Sequence, residues 1–250
     1  VQVTRYTLAG DLEYTGTGGL TLDLGSRHDL LTDVPNSYPN HNGGTLRLGP
    51  DSMLYVSLGD DGYSLGCRTS QDSTSLLGKI LRLDVRGVPD GPGGPPPKEQ
   101  LAPPDNPFAG HASQDARLVW SMGLRNPFRY HIDPATGHLF IADVGDADWE
   151  EVNLADVGGL NFGWPWREGR LAHDYCLVGP TSGFVDPVYS YSHTVGAVVI
   201  SAGLYRQNGG ESQFPAEYDG DYFFCDYMTG SLRRLKNIGG SWVIAPSVLG

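Results

Sequence analysis

Leucines and valines occupy every second position twice between His41 and Asp60. Leu46 and Leu48 alternate with Thr45 and Arg47, and Leu54, Val56 and Leu58 resume the alternation. A period of two marks a strand with one face toward a core. Gly49-Pro50-Asp51-Ser52 between the two runs is a cluster of turn formers, so the stretch predicts an antiparallel hairpin. Arms of similar length return the chain to the level where it began, which sets His41 and Asp60 on one rim. A carboxylate beside an imidazole orients the ring and raises its basicity, the arrangement of a general base. A solvent-exposed histidine in a Gly-rich loop is the plainer alternative for the same residues.

The patterning on either side stays short and strand-like. Val1 to Leu8 and Leu20 to Leu24 predict two strands ahead of a Pro/Asn/Ser/Tyr loop that delivers His41. Beyond Asp60 a polar loop reaches Thr74, and Leu76 to Val85 predicts another strand. Residues 87–107 hold eight prolines and four glycines. That density is expected to leave no regular element, only an excursion loop across the surface. The hairpin logic recurs from Tyr130 to Asp146 as strand, Asp/Pro/Gly turn, strand and Gly-Asp, and recurs in part from Tyr218 to Asp226. The aromatic of the second strand returns as Tyr55, Phe140 and Phe223, at spacings of 85 (140 − 55) and 83 (223 − 140).

Recurring antiparallel units without amphipathic helices between them argue against a parallel sheet. They predict an all-β protein, a β-propeller built of four-stranded antiparallel blades. The chain is expected to form a single propeller domain over residues 1–250, incomplete at both ends and covering about three to four blades. Its open strand edges call for a further segment or another chain to cover them.

Composition supports turns and strands: 35 Gly, 18 Pro and 13 Tyr in 250 residues. A net charge of −12 and a pI near 4.8 argue against binding nucleic acid or an anionic membrane through bulk electrostatics. They suit cations and neutral polar ligands. No apolar run approaches the roughly 20 residues that span a bilayer. No signal peptide heads the chain, which leaves the compartment open. Of the three cysteines, Cys67 and Cys176 lie in loop-like stretches and are the expected disulfide pair, while Cys225 in an aromatic strand is expected as a buried thiol.

The densest polar cluster sits in the second repeat: Gly123-Leu124-Arg125-Asn126-Pro127, then Asp143, Gly145, Asp146, Asp148, Glu150 and Glu151, then Asn161-Phe162-Gly163-Trp164-Pro165. A guanidinium beside an amide suits a planar ligand carrying carboxylates or carbonyls. The crowd of hard oxygen ligands from Asp143 to Glu151 suits Ca²⁺, although the spacing is not that of an EF-hand. An acidic solvated loop is the alternative. Gly62-Tyr63-Ser64-Leu65-Gly66 matches G-x-S-x-G, but the residues after it are CRTSQDSTS, so a turn is the better reading than a nucleophile elbow. Trp164 and Trp166 suit either a sugar site or a core.

The strings His41-Asn42-Gly43-Gly44, Leu54 to Asp60, Leu76 to Val85, Pro104 to Phe108, Gly123 to Pro127 and Asn161 to Pro165, in this order, resemble the soluble quinoprotein sugar dehydrogenases (glucose/sorbosone or aldose dehydrogenases). The propellers of Hedgehog-interacting proteins are related to that family. The resemblance covers about residues 1 to 235. It implies a six-bladed propeller that binds pyrroloquinoline quinone (PQQ) and Ca²⁺ at the top of the ring. It implies His41 as the base for the sugar C1 hydroxyl, oriented by Asp60, with Arg125 and Asn126 contacting PQQ. The carbonyls of Gly145 and Asp146 are implied to face the cofactor's Ca²⁺, and Glu151 and the Phe162 carbonyl further structural calcium. It further implies an aldose substrate, an external electron acceptor and a periplasmic or extracellular location. Met228 stands where the family often has a cofactor-binding Lys. The first blade, with a Gln near the quinone, is expected before Val1, and the last, with cofactor-binding arginines, beyond Gly250. A non-catalytic propeller that binds a protein or glycan is the alternative function.

Overall fold

The computed structural model describes residues 1–12, 19–62, 69–173, 179–210 and 213–246. Strands β1 (Val3–Gly10) and β2 (Leu20–Leu31) form a two-stranded antiparallel ribbon. Strands β3 (Leu46–Leu48), β4 (Leu54–Leu58), β5 (Lys79–Leu83) and β6 (Val119–Met122) follow as a four-stranded antiparallel meander. Next come β7 (Arg129–Ile132), β8 (Leu139–Asp143) and β9 (Trp149–Ala155), a small hairpin of β10 (Arg167–Glu168) and β11 (Leu171–Ala172), and β12 (Tyr189–Ser192), which completes the second sheet beside β9. The third sheet runs β13 (Val199–Leu204), β14 (Tyr222–Asp226), β15 (Ser231–Ile238) and β16 (Ser241–Ala245). The all-β reading of four-stranded antiparallel blades is borne out.

The sheets stack face to face, and the core lies between them. Leu30 and Leu31 of the ribbon pack with Val56, Leu58, Leu81 and Leu83 of the first sheet. Tyr55 and Ile80 leave the other face of that sheet to meet Tyr130, Leu139 and Ile141 of the second. Phe140 and Ala142 point away from those last two and meet Val199, Tyr222, Phe224 and Leu235 of the third. A central strand buried on both faces needs a continuous apolar run, which is why β8 reads Leu-Phe-Ile-Ala. Strand β3 departs from the expected half-burial: Leu46 and Leu48 are 46% and 68% exposed. As the edge strand of its sheet, β3 has β4 for its only neighbour.

The repeat is confirmed at Tyr55, Phe140 and Phe223, each the second residue of the second strand of its sheet. Its Gly-Asp ending is re-registered. Asp143 and Asp226 close β8 and β14 opposite Glu151 and Ser231, where β4 has Leu58 opposite Lys79. Asp60 lies two residues past Leu58. The Pro/Gly-rich excursion also holds a helical turn, α1 (Lys98–Leu101), contrary to the expectation of no regular element. Pro97 precedes it with φ −54°, and Leu101 is fully buried. One anchoring apolar side chain thus outweighs the breakers around it. Arg82 pins the rest of the strap to the first sheet through Asp105 and Asn106, at 2.8 and 2.9 Å.

Lys79 is fully buried and donates to the carbonyls of Thr69, Ser70 and Leu77 at 2.7, 2.9 and 2.7 Å. Burial pushes its pKa down to about 7. Lys79→Met keeps the volume but removes the donor from all three carbonyls. The expected loss is about 3 kcal/mol or more, read as a lower urea midpoint at unchanged slope.

Cys67, Cys176 and Ser64, on which the expected disulfide and the G-x-S-x-G reading fall, lie outside the described residues. Cys225 is a half-buried free thiol on β14, more open than expected, with its pKa raised by burial. Among the described residues no helix is long and apolar enough to cross a membrane.

Candidate active site

The loop that delivers His41 is shaped by Asp61, whose carboxylate accepts the Ser37 and Tyr38 backbone N–H groups at 2.7 and 3.2 Å. His41 itself takes a left-handed backbone, φ 52°. Strain of that kind on a non-Gly residue is held only where the surroundings over-determine it. Gly59 permits the crossing, since a Cβ there would sit 2.0 Å from the His41 carbonyl oxygen. The result is a hydrogen bond of 2.7 Å from His41 Nδ1 to Asp60 Oδ1. A carboxylate accepts, so Nδ1 carries the proton and the neutral ring keeps its lone pair on Nε2. Asp60 is buried and held on both oxygens: Gly62 N–H donates to Oδ1 and the Trp164 indole N–H to Oδ2, each at 2.9 Å.

Arg125 and Asn126 occupy the loop between β6 and β7. The Asp60 N–H donates to the Arg125 carbonyl at 2.8 Å, which ties the two loops together. The N–H groups of Arg125 and Asn126 in turn bind the two oxygens of Asp143, at 3.0 and 2.7 Å. Asn126 Oδ1 accepts from Gly43 N–H at 3.4 Å. The Arg125 guanidinium lies over the Trp164 ring, 5.4 Å from its centroid, and reaches Asp146 Oδ1 at 2.8 Å. Its Nε is buried without an acceptor among the described residues. His41, Asp60, Arg125 and Asn126 therefore lie on one rim.

The acidic loop is folded around Glu168, whose Oε1 accepts the N–H groups of Asp146, Ala147, Asp148 and Trp149 at 2.7, 3.0, 3.1 and 3.1 Å. Successive N–H groups converging on one anion form a nest, which fixes the backbone at Gly145 and Asp146. Burial pushes Asp143 up to about 7, with the Asp60 charge adding and its two backbone bonds opposing. Burial, then the Asp143 charge, pushes Glu151 up to about 8. Glu151 is held by Asn153 Nδ2 at 3.0 Å and by Gly169 N–H. Phe162, also buried, donates its N–H to the Met122 carbonyl at 3.0 Å. Among the described residues the buried Glu168 Oε2 and Asn153 Oδ1 accept no hydrogen bond, although His173 Nε2 lies 3.5 Å from Glu168 Oε2. Excess buried carboxylate with orphaned oxygens fits a hard cation. Among the described residues no three His, Cys, Asp or Glu side chains converge enough to hold a metal alone, so a cation here also needs backbone carbonyls.

Several of these roles are not legible in the chain. Trp164, which suits a sugar site or a core by sequence, is buried and donates its indole N–H to Asp60, 104 positions away in sequence. Glu168 carries no motif of its own. His173 packs on Trp164 at 5.1 Å, with Nε2 3.5 Å from Glu168 Oε2. Met228, on the β14–β15 turn, is 66% exposed beside Tyr227, itself 72% exposed.

Residues 14–246 match the sequence profile of the family described as Glucose / Sorbosone dehydrogenase. The chain belongs to the glucose/sorbosone dehydrogenase family. Within it, the HIPL2 protein of Arabidopsis thaliana is 31% identical over 250 residues, which covers 92% of this chain and 34% of that protein. Aldose sugar dehydrogenase YliI of Escherichia coli (strain K12) is 31% identical over 169 residues, 64% of this chain and 40% of the relative. The PQQ-bound form of aldose sugar dehydrogenase from Streptomyces coelicolor superposes with a TM-score of 0.64 at 26% identity, covering 98% of this chain and 61% of that one. This member therefore spans less than two thirds of each of them.

Proposed function

We propose that the full-length protein carrying this chain is a PQQ- and Ca²⁺-dependent aldose dehydrogenase that acts in the periplasm or outside the cell. In this reading residues 1–250 are one propeller domain. One observation carries the proposal: the His41–Asp60 pair and the Arg125–Asn126 loop meet on one rim, joined by the 2.8 Å bond from Asp60 N–H to the Arg125 carbonyl. The aldose is oxidised at C1 to the lactone. His41 Nε2 takes the C1 hydroxyl proton, and Asp60 holds the ring in the required tautomer and offsets the positive charge that results. Trp164 and Gly62 hold Asp60 in place as an acceptor. The chemistry that PQQ would supply when bound is acceptance of the C1 hydride, with an external acceptor as the final oxidant. Arg125 and Asn126 hold the cofactor's carboxylates and carbonyls, and the free Arg125 Nε–H suits that role. The carbonyls of Gly145 and Asp146 hold the calcium beside the cofactor, while Glu151 and the Phe162 carbonyl hold structural calcium.

Reconstitution with PQQ and Ca²⁺, followed by dye reduction with a panel of aldoses, tests the proposal. Turnover with at least one aldose is expected; none with any would reject it. The exposed Tyr227 and Met228 favour a second reading, a non-catalytic propeller that binds a protein or glycan through the same rim. A melting temperature unmoved by PQQ would support that reading, because a ligand selective for the folded state raises it.

A further inference from the structure

Between the first and second sheets an amide relay runs toward the His41–Asp60 pair. Gln71 and Asn161, 90 positions apart, bond each other reciprocally: Gln71 Nε2 donates to Asn161 Oδ1 at 3.0 Å, and Asn161 Nδ2 donates to Gln71 Oε1 at 2.8 Å. Gln71 Nε2 also donates to the Trp164 carbonyl at 2.7 Å. Asn161 Oδ1 accepts the Gly163 N–H at 3.0 Å, so both amides grip the short loop that ends in Trp164. The indole at the end of that loop is the donor on Asp60 Oδ2.

The loop bearing Gln71 is itself anchored. Ser70 donates its hydroxyl to the Leu124 carbonyl at 2.8 Å, and the Ser70 carbonyl accepts Gly123 N–H and Lys79 Nζ. Space at the relay is tight, since a Cβ on Gly123 would lie 2.2 Å from Asn161 Oδ1. A half-buried glutamine loses side-chain freedom worth up to about 2 kcal/mol when it is held this way. Its bonds repay that ordering by fixing one backbone turn.

We propose that Gln71 is a positioning residue for His41, acting through Asn161, Trp164 and Asp60. The proposal rests on the reading of His41 as the base, but the geometry it asserts is measurable without the cofactor. The probe is the cofactor-free chain, with the hydrogen-bonded Trp164 indole N–H and His41 Nδ1–H proton resonances followed by NMR. Gln71→Ala is expected to move both resonances toward their unbonded positions. Gln71→Met, which keeps the volume but removes the amide, is expected to do the same. In the loaded enzyme Gln71→Ala is expected to lower kcat about tenfold or more, with KM changed less. Adding Gln71→Ala to Trp164→Phe is expected to cost nothing further, because the end of the relay is already gone.

Unmoved N–H resonances in a folded Gln71 variant would overturn the relay, and so would additive losses in the double variant. Absence of dehydrogenase activity in the parent protein would instead count against the proposed function and leave the NMR result standing.

Discussion

His41→Asn is expected to abolish base catalysis while keeping the fold, lowering aldose turnover in the reconstituted enzyme about 10²–10⁴-fold. Asparagine is the informative substitution for two reasons. It tolerates the left-handed backbone at φ 52°, where alanine adds strain of about 1 kcal/mol. Its amide still donates to Asp60 and leaves that buried carboxylate partnered. His41→Ala is expected to show the same loss of turnover with a slightly lower melting temperature. Activity within tenfold of the parent in His41→Asn would remove the imidazole from the chemistry. A large drop in melting temperature in His41→Ala, with none in His41→Asn, would show instead that the side chain is there to satisfy Asp60.

Without divalent cations, thermal stability is expected to fall as pH rises from about 5 to 8. The folded pKa values of Asp143 and Glu151, about 7 and about 8, lie above those of the unfolded chain. In that window the native state binds more protons, so the stabilisation is complete below the unfolded values and disappears as pH passes the folded ones. The loss is on the order of 3 kcal/mol. Two buried bases act in the opposite sense inside the window and offset part of this: Lys79, lowered to about 7 by burial, and His131, also lowered by burial, bind more protons in the unfolded chain. Asp84, lowered to about 2 chiefly by its hydrogen bond from Arg86, contributes a dependence only below that window.

Calcium at pH 8 is expected to restore the lost stability, and its effect at pH 5 is expected to be smaller, because protons compete for the same oxygens. Calorimetry with and without chelator reads both arms. Stability that rises from pH 5 to 8 in chelator would contradict the buried charge. A melting temperature indifferent to calcium at pH 8 would contradict the cation.

Met228 shows how far a residue-by-residue resemblance reaches. Its position on the β14–β15 turn follows from the strand pattern, and its 66% exposure is a property of the fold. The strands are legible where the pattern is local, as alternation at Leu54–Leu58 and as a short apolar run after an Asp/Pro/Gly turn at Leu139–Asp143. Leu46 and Leu48 are exposed despite their alternation, because alternation says which residues share a face but not whether another sheet covers it.

What the chain by itself determined is local. Period-two runs, turn residues and the lack of helices gave short antiparallel strands in repeated units. The hairpin arithmetic placed His41 level with Asp60, and the order of short motifs gave the family. Tertiary structure decided everything that depends on residues far apart in sequence. It set Trp164 on Asp60, gathered four backbone N–H groups on Glu168, and buried Asp143 near enough to Glu151 to raise the proton affinity of Glu151. Backbone preferences are set by neighbours along the chain. Hydrogen-bond partnership and desolvation are set by neighbours in space, and those exist only once the sheets have stacked.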